Sequence, residues 1–504
     1  MNRSGLRPHR LTTTAALALT LTVAPARSPE ASPLFELAGA VQGKGAFAGR
    51  AVEAGAASAY FNPAFLADAA ASLDVGVFTL VQEIGIRLQG RPTISADIPV
   101  ESVDMERPGG GRYDHYGLPT SWLNDGRAAS PPDAPLPARP RQSAGSGHGV
   151  HAYQAVGLVG RLLDGRVGVA VHALIPYSGF TNASAFYSDE REQYFSNSLH
   201  PELYGDRLTT TSLAFGLGAR VHPRLAVGAG TTLGLHTVAT TPTYLADLGH
   251  FENLSIDSNV AVKTNLSPHL GLAYFPTPST VLTATAHSPQ RVQIDTHFSF
   301  LLANGIEQRA TVHFTHAFLP WRIALGGSQR LLAHGDGALF LTATVLHARW
   351  SAYLDRHGER PDPAHGWYDT TSGTAGLRWR QGRGAGLLDV AYSPSPVPAQ
   401  TGRTNYVDNN RVSAVAGFEY RIPVRTASLG MAVQVQGHRL LPRTANKADA
   451  GAPAGVIDEV PDDAVRAGQP VPGRDGLQTN NPGWPGFSSA GWVLGTAVSM
   501  NLAY

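Results

Sequence analysis

Long stretches of the chain alternate, residue by residue, between apolar and small or polar side chains. The final segment does so most clearly: Trp492, Leu494, Thr496, Val498, Met500, Leu502 and Tyr504 fall on one side, and Gly491, Gly495, Ala497, Ser499, Asn501 and Ala503 on the other. A period of two predicts strands with one apolar face. The same pattern predicts fourteen strands, near 72–90, 150–162, 166–176, 206–221, 224–240, 258–275, 279–299, 307–330, 337–353, 369–381, 384–394, 410–422, 426–439 and 489–504. Within 225–236, Leu225, Val227, Ala229, Leu233 and Leu235 oppose Ala226, Gly228, Gly230, Gly234 and His236. Within 428–438, Leu429, Met431, Val433 and Val435 oppose Ser428, Gly430, Gln434, Gln436 and His438. The second face is too small and too polar for a packed soluble core. It suits the inside of a barrel that encloses water, a plug or a ligand.

The gaps between predicted strands alternate in length. Short ones are turn-like: Asp164-Gly165, His222-Pro223, Pro276-Thr277-Pro278, Gly382-Arg383 and Pro423-Val424. Long ones include 91–149, 177–205, 355–368 and 440–488, and the gap at 301–306 is the one that fits least well. An even strand number with short turns at one end and long loops at the other is the pattern of a transmembrane β-barrel. The predicted fold is an all-β, 14-stranded antiparallel barrel with a small N-terminal plug in its lumen.

Composition agrees. Charged residues make up 15% of the chain, below the ~25% usual in soluble domains. No apolar run long enough for a transmembrane helix follows the N-terminus. A net charge of +1 gives no footprint for nucleic acid. The absence of cysteine removes disulfide and thiol chemistry. Arg3, Arg7 and Arg10, the apolar run Leu11 to Val23 and Ala24-Pro25-Ala26 predict a secretory signal peptide within 1–31, cleaved near 26–31.

Residues 32–70 lie between that signal and the first strand and do not alternate. They are rich in small residues and predict a compact segment with short helices. At its centre is Tyr60-Phe61-Asn62-Pro63-Ala64; Asn62 is placed to cap a helix that Pro63 begins. This run, with Leu66-Ala67 after it and Gly43-Lys44-Gly45-Ala46-Phe47-Ala48-Gly49 before it, resembles the N-terminal hatch of FadL-type outer-membrane transporters of long-chain fatty acids and aromatic hydrocarbons. Leu319-Pro320 leading into Arg322 resembles the same family, as do Pro396, Pro398, Arg403 and Asp408 on an external loop. The chain departs from the family at Phe65, where glycine is usual.

The resemblance implies a fourteen-stranded barrel closed by a hatch, 32–70, inside a barrel, 71–504. It implies a gated channel with gating residues Tyr60, Phe61, Asn62, Pro63 and Ala64. It also implies a sideways exit at a kink in the third strand, where Pro176 and Gly179 suit irregular backbone. Candidate groove residues are Phe180, Phe186, Tyr187, Tyr194, Phe195 and Leu199. Implied partners are hydrophobic small molecules, outer-membrane lipid and lipopolysaccharide, and the barrel assembly machinery through the strand ending at Tyr504. A monomer is expected.

No enzyme signature is complete: G-x-S-x-G, H-E-x-x-H and the phosphate loop are all missing. No cofactor or metal is expected, and His313 and His316 are read as exposed or pore-facing rather than as ligands. The competing readings are a general aqueous porin and a barrel hydrolase that uses His172 or His347 with a serine.

Overall fold

The computed structural model describes residues 33–89 (44 and 54 excepted), 143–177, 211–245, 259–302, 307–355, 366–401, 405–447 and 486–504, with short pieces between them. Fourteen antiparallel strands close into one barrel. They are β1 (Ser72–Leu88), β2 (Ser143–Leu162), β3 (Val167–Pro176), β4 (Ser212–His222), β5 (Leu225–Leu245), β6 (Asn259–Thr277) and β7 (Thr280–His287). Then follow β8 (Arg322–His334), β9 (Gly337–Ala348), β10 (Thr370–Gln381), β11 (Gly384–Ser393), β12 (Arg411–Val424), β13 (Ala427–Asn446) and β14 (Gly486–Ala503). β1 pairs with β2 on one edge and with β14 on the other, Ser72 opposite Ala503, so the cylinder has no open edge there.

Alternation sets the two faces. Leu73, Val75 and Val77 of β1 and Leu494, Val498 and Met500 of β14 are exposed on the outside. Gln434, Gln436 and His438 of β13 are buried within. Outward aromatic residues lie near both ends: Tyr274, Trp379 and Tyr420 toward the short turns, Tyr177, Trp321 and Tyr392 toward the long loops. Such girdles mark the two bilayer interfaces. The short turns mark the periplasmic end. In one of them, Leu163 and Asp164 both take left-handed backbone before Gly165, the geometry a tight hairpin requires.

Several strand boundaries differ from the alternation. β2 begins at Ser143 rather than 150, because the small residues of its outer end hide the pattern. β4 begins at Ser212, not 206. β9 ends at Ala348, and Trp350–Ala352 form a 3-10 turn instead of extending the strand to 353. β13 continues to Asn446 past a bulge at Pro442, which cannot donate to the ladder.

The largest correction concerns 279–299 and 307–330. Each was expected as one strand, and each is broken by a proline, Pro289 or Pro320. Inside the breaks, β7 and β8 pair within the wall. Outside them, Gln290–Leu302 and Glu307–Leu319 form a separate hairpin whose first strand runs parallel to the outer half of β5. Of the predicted gap at 301–306, Leu301 and Leu302 belong to the first of these strands, and 303–306 lie outside the described residues.

Residues 33–71 occupy the lumen. Three short helices, α1 (Leu34–Ala38), α2 (Gly49–Val52) and α3 (Ser58–Phe61), lead to a 3-10 helix at Pro63–Ala67. Leu34, Phe35, Tyr60 and Leu66 of this segment pack with Phe78, Leu80, Tyr153 and Leu174 of the wall in the largest buried apolar cluster. Helices this short have little intrinsic stability, so packing holds them.

Candidate functional site

Asn62 is fully buried and does three jobs at once. Its Oδ1 accepts from Ala64 N at 3.2 Å, capping the 3-10 helix that Pro63 starts. Its Nδ2 donates to Arg50 O within the segment and to Leu272 O of the wall, at 3.1 and 3.3 Å. The predicted cap is therefore also a tie between segment and wall. The wall makes room with glycine. A Cβ on Gly271 would collide with Asn62 Oδ1 and the Pro63 ring, and one on Gly228 with the Pro63 carbonyl carbon.

Above this seat lies a buried charged cluster. Glu36 Oε1 accepts from Arg50 Nη2 at 2.6 Å, from Arg322 Nη1 at 2.6 Å and from Tyr60 Oη at 2.5 Å. Arg322 also donates to Tyr60 Oη at 2.8 Å and to Gln290 Oε1 at 3.0 Å. Burial alone would raise the Glu36 carboxyl, but Arg50 and Arg322 outweigh it and hold it at about 2. Its folded value lies below the ordinary 4.5, so its stabilising contribution is present above pH 4.5 and fades as pH falls toward 2. Beside it, the Tyr60 ring lies 4.9 Å from the His287 ring, which stacks on His269 at 4.7 Å. His269 Nε2 donates to Ala59 O at 2.6 Å.

Other anchors surround the segment. Asp389 of β11 is buried, pairs with Arg378 of β10, and accepts from Phe47 N and Ala48 N at 3.1 and 3.2 Å just ahead of α2. Arg378 Nη2 donates to Gly45 O at 2.7 Å. Gln434 of β13 donates to Ala40 O and Gly43 O. Arg161 of β2 donates to Leu66 O and Ala67 O, each at 2.9 Å. The fastening is polar and distributed around the barrel. Each such bond contributes about 0.5–3 kcal/mol net, so the set can be strong in sum while each member stays breakable.

A cavity of about 150 Å³ opens over the cluster on the external side. Glu36, Arg50 and Phe61 line it from the segment, and Arg322, Leu319, Trp350, Asp408 and Arg411 from the wall and loops. Beside it Phe318, Trp350, Tyr353, Trp367 and Val397 form a second apolar cluster, with the Tyr353 and Trp367 rings stacked. Asp408 is buried there, and burial pushes its carboxyl up to about 6, against a Ser395 hydrogen bond and the nearby Arg411 and Arg443.

The predicted residues fare unevenly. Tyr60, Phe61, Asn62, Pro63 and Ala64 come together at the seat and the charged cluster, all buried. Pro176 ends β3, while Gly179, Phe180, Phe186, Tyr187, Tyr194, Phe195, Leu199 and Arg403 lie outside the described residues. Pro396 and Asp408 line the external cavity. Arg443 of β13 also holds this loop, donating to Val397 O and Pro398 O at 2.7 Å. His172 faces the lumen and stacks on Phe35 at 5.2 Å, which removes it from the lipid-face serine–histidine reading. His347 partners Thr371 on the outer face. Among the described residues no cluster of His, Asp or Glu is arranged to hold a metal ion. Glu36, Arg378 and Asp389 were not singled out from sequence. Arg378 and Asp389 sit at lumen-facing positions of their strands in a chain poor in charge, and that was the available signal.

Closure, strand number and plugged lumen together define the fold as that of the FadL-type outer-membrane barrels. A crystal structure of a Pseudomonas aeruginosa FadL homologue is similar with a TM-score of 0.50 at 13% identity, covering 95% of this chain and 98% of that chain. The P. putida toluene transporter TodX gives 0.44 at 11% identity, over 89% and 94%. The Ralstonia pickettii toluene transporter TbuX gives 0.43 at 12%, over 94% and 98%. No family model and no curated protein sequence matches the chain. A closed barrel with an outward apolar face and aromatic girdles at both ends is the form in which strands span a bacterial outer membrane.

Proposed function

We propose that this protein is a hatch-gated channel for uptake of hydrophobic compounds, residues 32–70 being the hatch and 71–504 the barrel, after removal of a signal peptide within 1–31. The observation that carries this is the external cavity. It joins apolar walls (Phe61, Leu319, Trp350) to three arginines, Arg50, Arg322 and Arg411, that outnumber its carboxylates, Glu36 and Asp408. An aqueous pore needs no such pocket. An amphipathic acid, such as a long-chain fatty acid, needs both halves of it. Binding of oleate and of toluene to the purified barrel tests this. Saturable oleate binding that weakens about tenfold in Arg411→Gln supports the carboxylate reading. Equal binding of both compounds, indifferent to Arg411, removes it.

The pH dependence follows from Asp408. Its folded value of about 6 lies above the ordinary 3.8. The stability it contributes is therefore full below pH 3.8 and is lost as pH rises through 6. At pH 5 the loop is neutral there, and the arginines face one carboxylate fewer. Dodecyl sulfonate, which stays anionic throughout, is expected to bind more tightly at pH 5 than at pH 7.5. Asp408→Asn should abolish the difference, and an unchanged difference counts against the assignment.

For exit, the reading favours the wall at β3. This strand has 10 residues against 20 in its neighbour β2, and it pairs with β4 only from Val167 to Leu174. Pro176, which cannot donate to a ladder, stands at its end. Replacing 176–179 with strand-forming residues should cut uptake of a hydrophobic substrate while leaving oleate binding intact. Uptake at the wild-type rate would rule out this exit.

A further inference from the structure

The helix α2 divides the lumen. Arg50 lines the external cavity, while its neighbours Ala51 and Val52 line a second cavity on the other side. This one measures about 320 Å³, roughly twice the volume of the first. Its principal walls are Val52 and Phe65 of the lumen segment with Phe275, Val281, Phe340 and Leu387 of the barrel. Phe275, Val281, Phe340 and Leu387 each lie within three residues of a strand end at the short turns, so the cavity faces the periplasm. Phe65, the residue at which the chain departs from glycine, forms part of its lining.

The lining is mostly apolar. Of the four charged groups at its edge, three are engaged elsewhere: Asp68 with Arg220, Arg378 with Asp389 and Gly45 O, and Glu419 with Arg421; the fourth is Arg380. A dry apolar cavity of about 150 Å³ already accepts benzene or xenon, and this one is larger. We propose that it is a second ligand site, on the periplasmic side of the hatch, for uncharged apolar compounds: a hydrocarbon ring, or the alkyl part of a longer molecule. It differs from the external cavity, where arginines select a charged head. A cargo that passes α2 finds a second place to bind without first meeting water. The site rests on the reading of the protein as a channel for hydrophobic compounds.

The test uses iodobenzene on the full-length, detergent-folded protein, with the iodine located by anomalous diffraction and the stoichiometry measured in solution. Iodobenzene is expected between Val52, Phe65, Val281 and Leu387. Leu387→Trp and Val281→Trp fill that space and should each remove this site, while leaving oleate binding above α2 unchanged. Should either variant fail to assemble, Phe65→Ala gives the converse test: the enlarged cavity should bind 1-iodonaphthalene about tenfold more tightly than wild type. Iodobenzene found only above α2, or stoichiometry unaffected by both filling variants, overturns the site. Loss of cellular uptake of both oleate and toluene, with iodobenzene still seated below α2, would instead overturn the transport reading.

Discussion

Replacing Arg322 with methionine is expected to free the lumen segment from the wall without unfolding the barrel. Arg322 is the wall's only contribution to the Glu36 carboxylate among the described hydrogen bonds; Arg50 and Tyr60 belong to the segment itself. Removing one partner from a buried charged cluster costs about 3–5 kcal/mol when a charge is left bare; Glu36 keeps Arg50 here, so the expected cost is at the lower end, about 3 kcal/mol. A loss of that size multiplies the undocked population by roughly 10². The wall strands keep their ladders, so the barrel should still show its heat-dependent shift on gels. Planar-bilayer recordings should show a marked rise in ion leak. Adding Glu36→Gln should deepen the loss, since buried Arg50 then has no carboxylate. A double variant less leaky than the single one would contradict this account of the cluster.

A second large effect is expected at Gly228. The atoms nearest a new side chain there are the backbone of Pro63 and Ala64, not the end of a flexible side chain, so no rotamer change relieves the clash. Overpacking a tight contact costs about 1–3 kcal/mol or more. Gly228→Val should therefore lift the Asn62-Pro63 turn from its seat, breaking the hydrogen bond from Asn62 to Leu272 O. The expected result is increased leak and faster proteolysis of the lumen segment in an assembled barrel. Gly373→Ala is the control, because nothing lies within 4 Å of a Cβ there. Equal behaviour of the two variants would show that the glycine seat does not hold the segment.

Why the seat was only half visible in the sequence has a simple physical cause. Alternation reports which face a residue takes, and it placed Gly228 on the inside correctly. It does not report what touches that face. The need for glycine at Gly228 and Gly271 comes from a segment more than 150 residues away, and a period of two carries no such information. The same limit hid the partnership of Glu36 with Arg322, separated by 286 positions. Asn62 was readable because its cap is local, to Ala64; its tie to Leu272 was not.

The strand count succeeded for the same reason that two strands were drawn too long. Pro289 and Pro320 each interrupt a run whose alternation continues on both sides. The pattern survives the break, but the ladder does not, because proline has no N–H to give. At the ends of β2 and β13 the error runs the other way. Small and polar residues there alternate weakly, yet pair, across one bulge each, with the long neighbours β1 and β14.

The measurement that tests the central claim most directly is uptake in cells that lack this protein and receive it back from a plasmid, paired with sugar permeation into liposomes holding the purified barrel. The account predicts restored uptake of radiolabelled oleate, loss of that uptake when residues 32–45 are deleted, and little entry of sugars through the intact protein. Free passage of small sugars with no restored uptake of oleate or toluene would contradict it, and would make the barrel an aqueous pore.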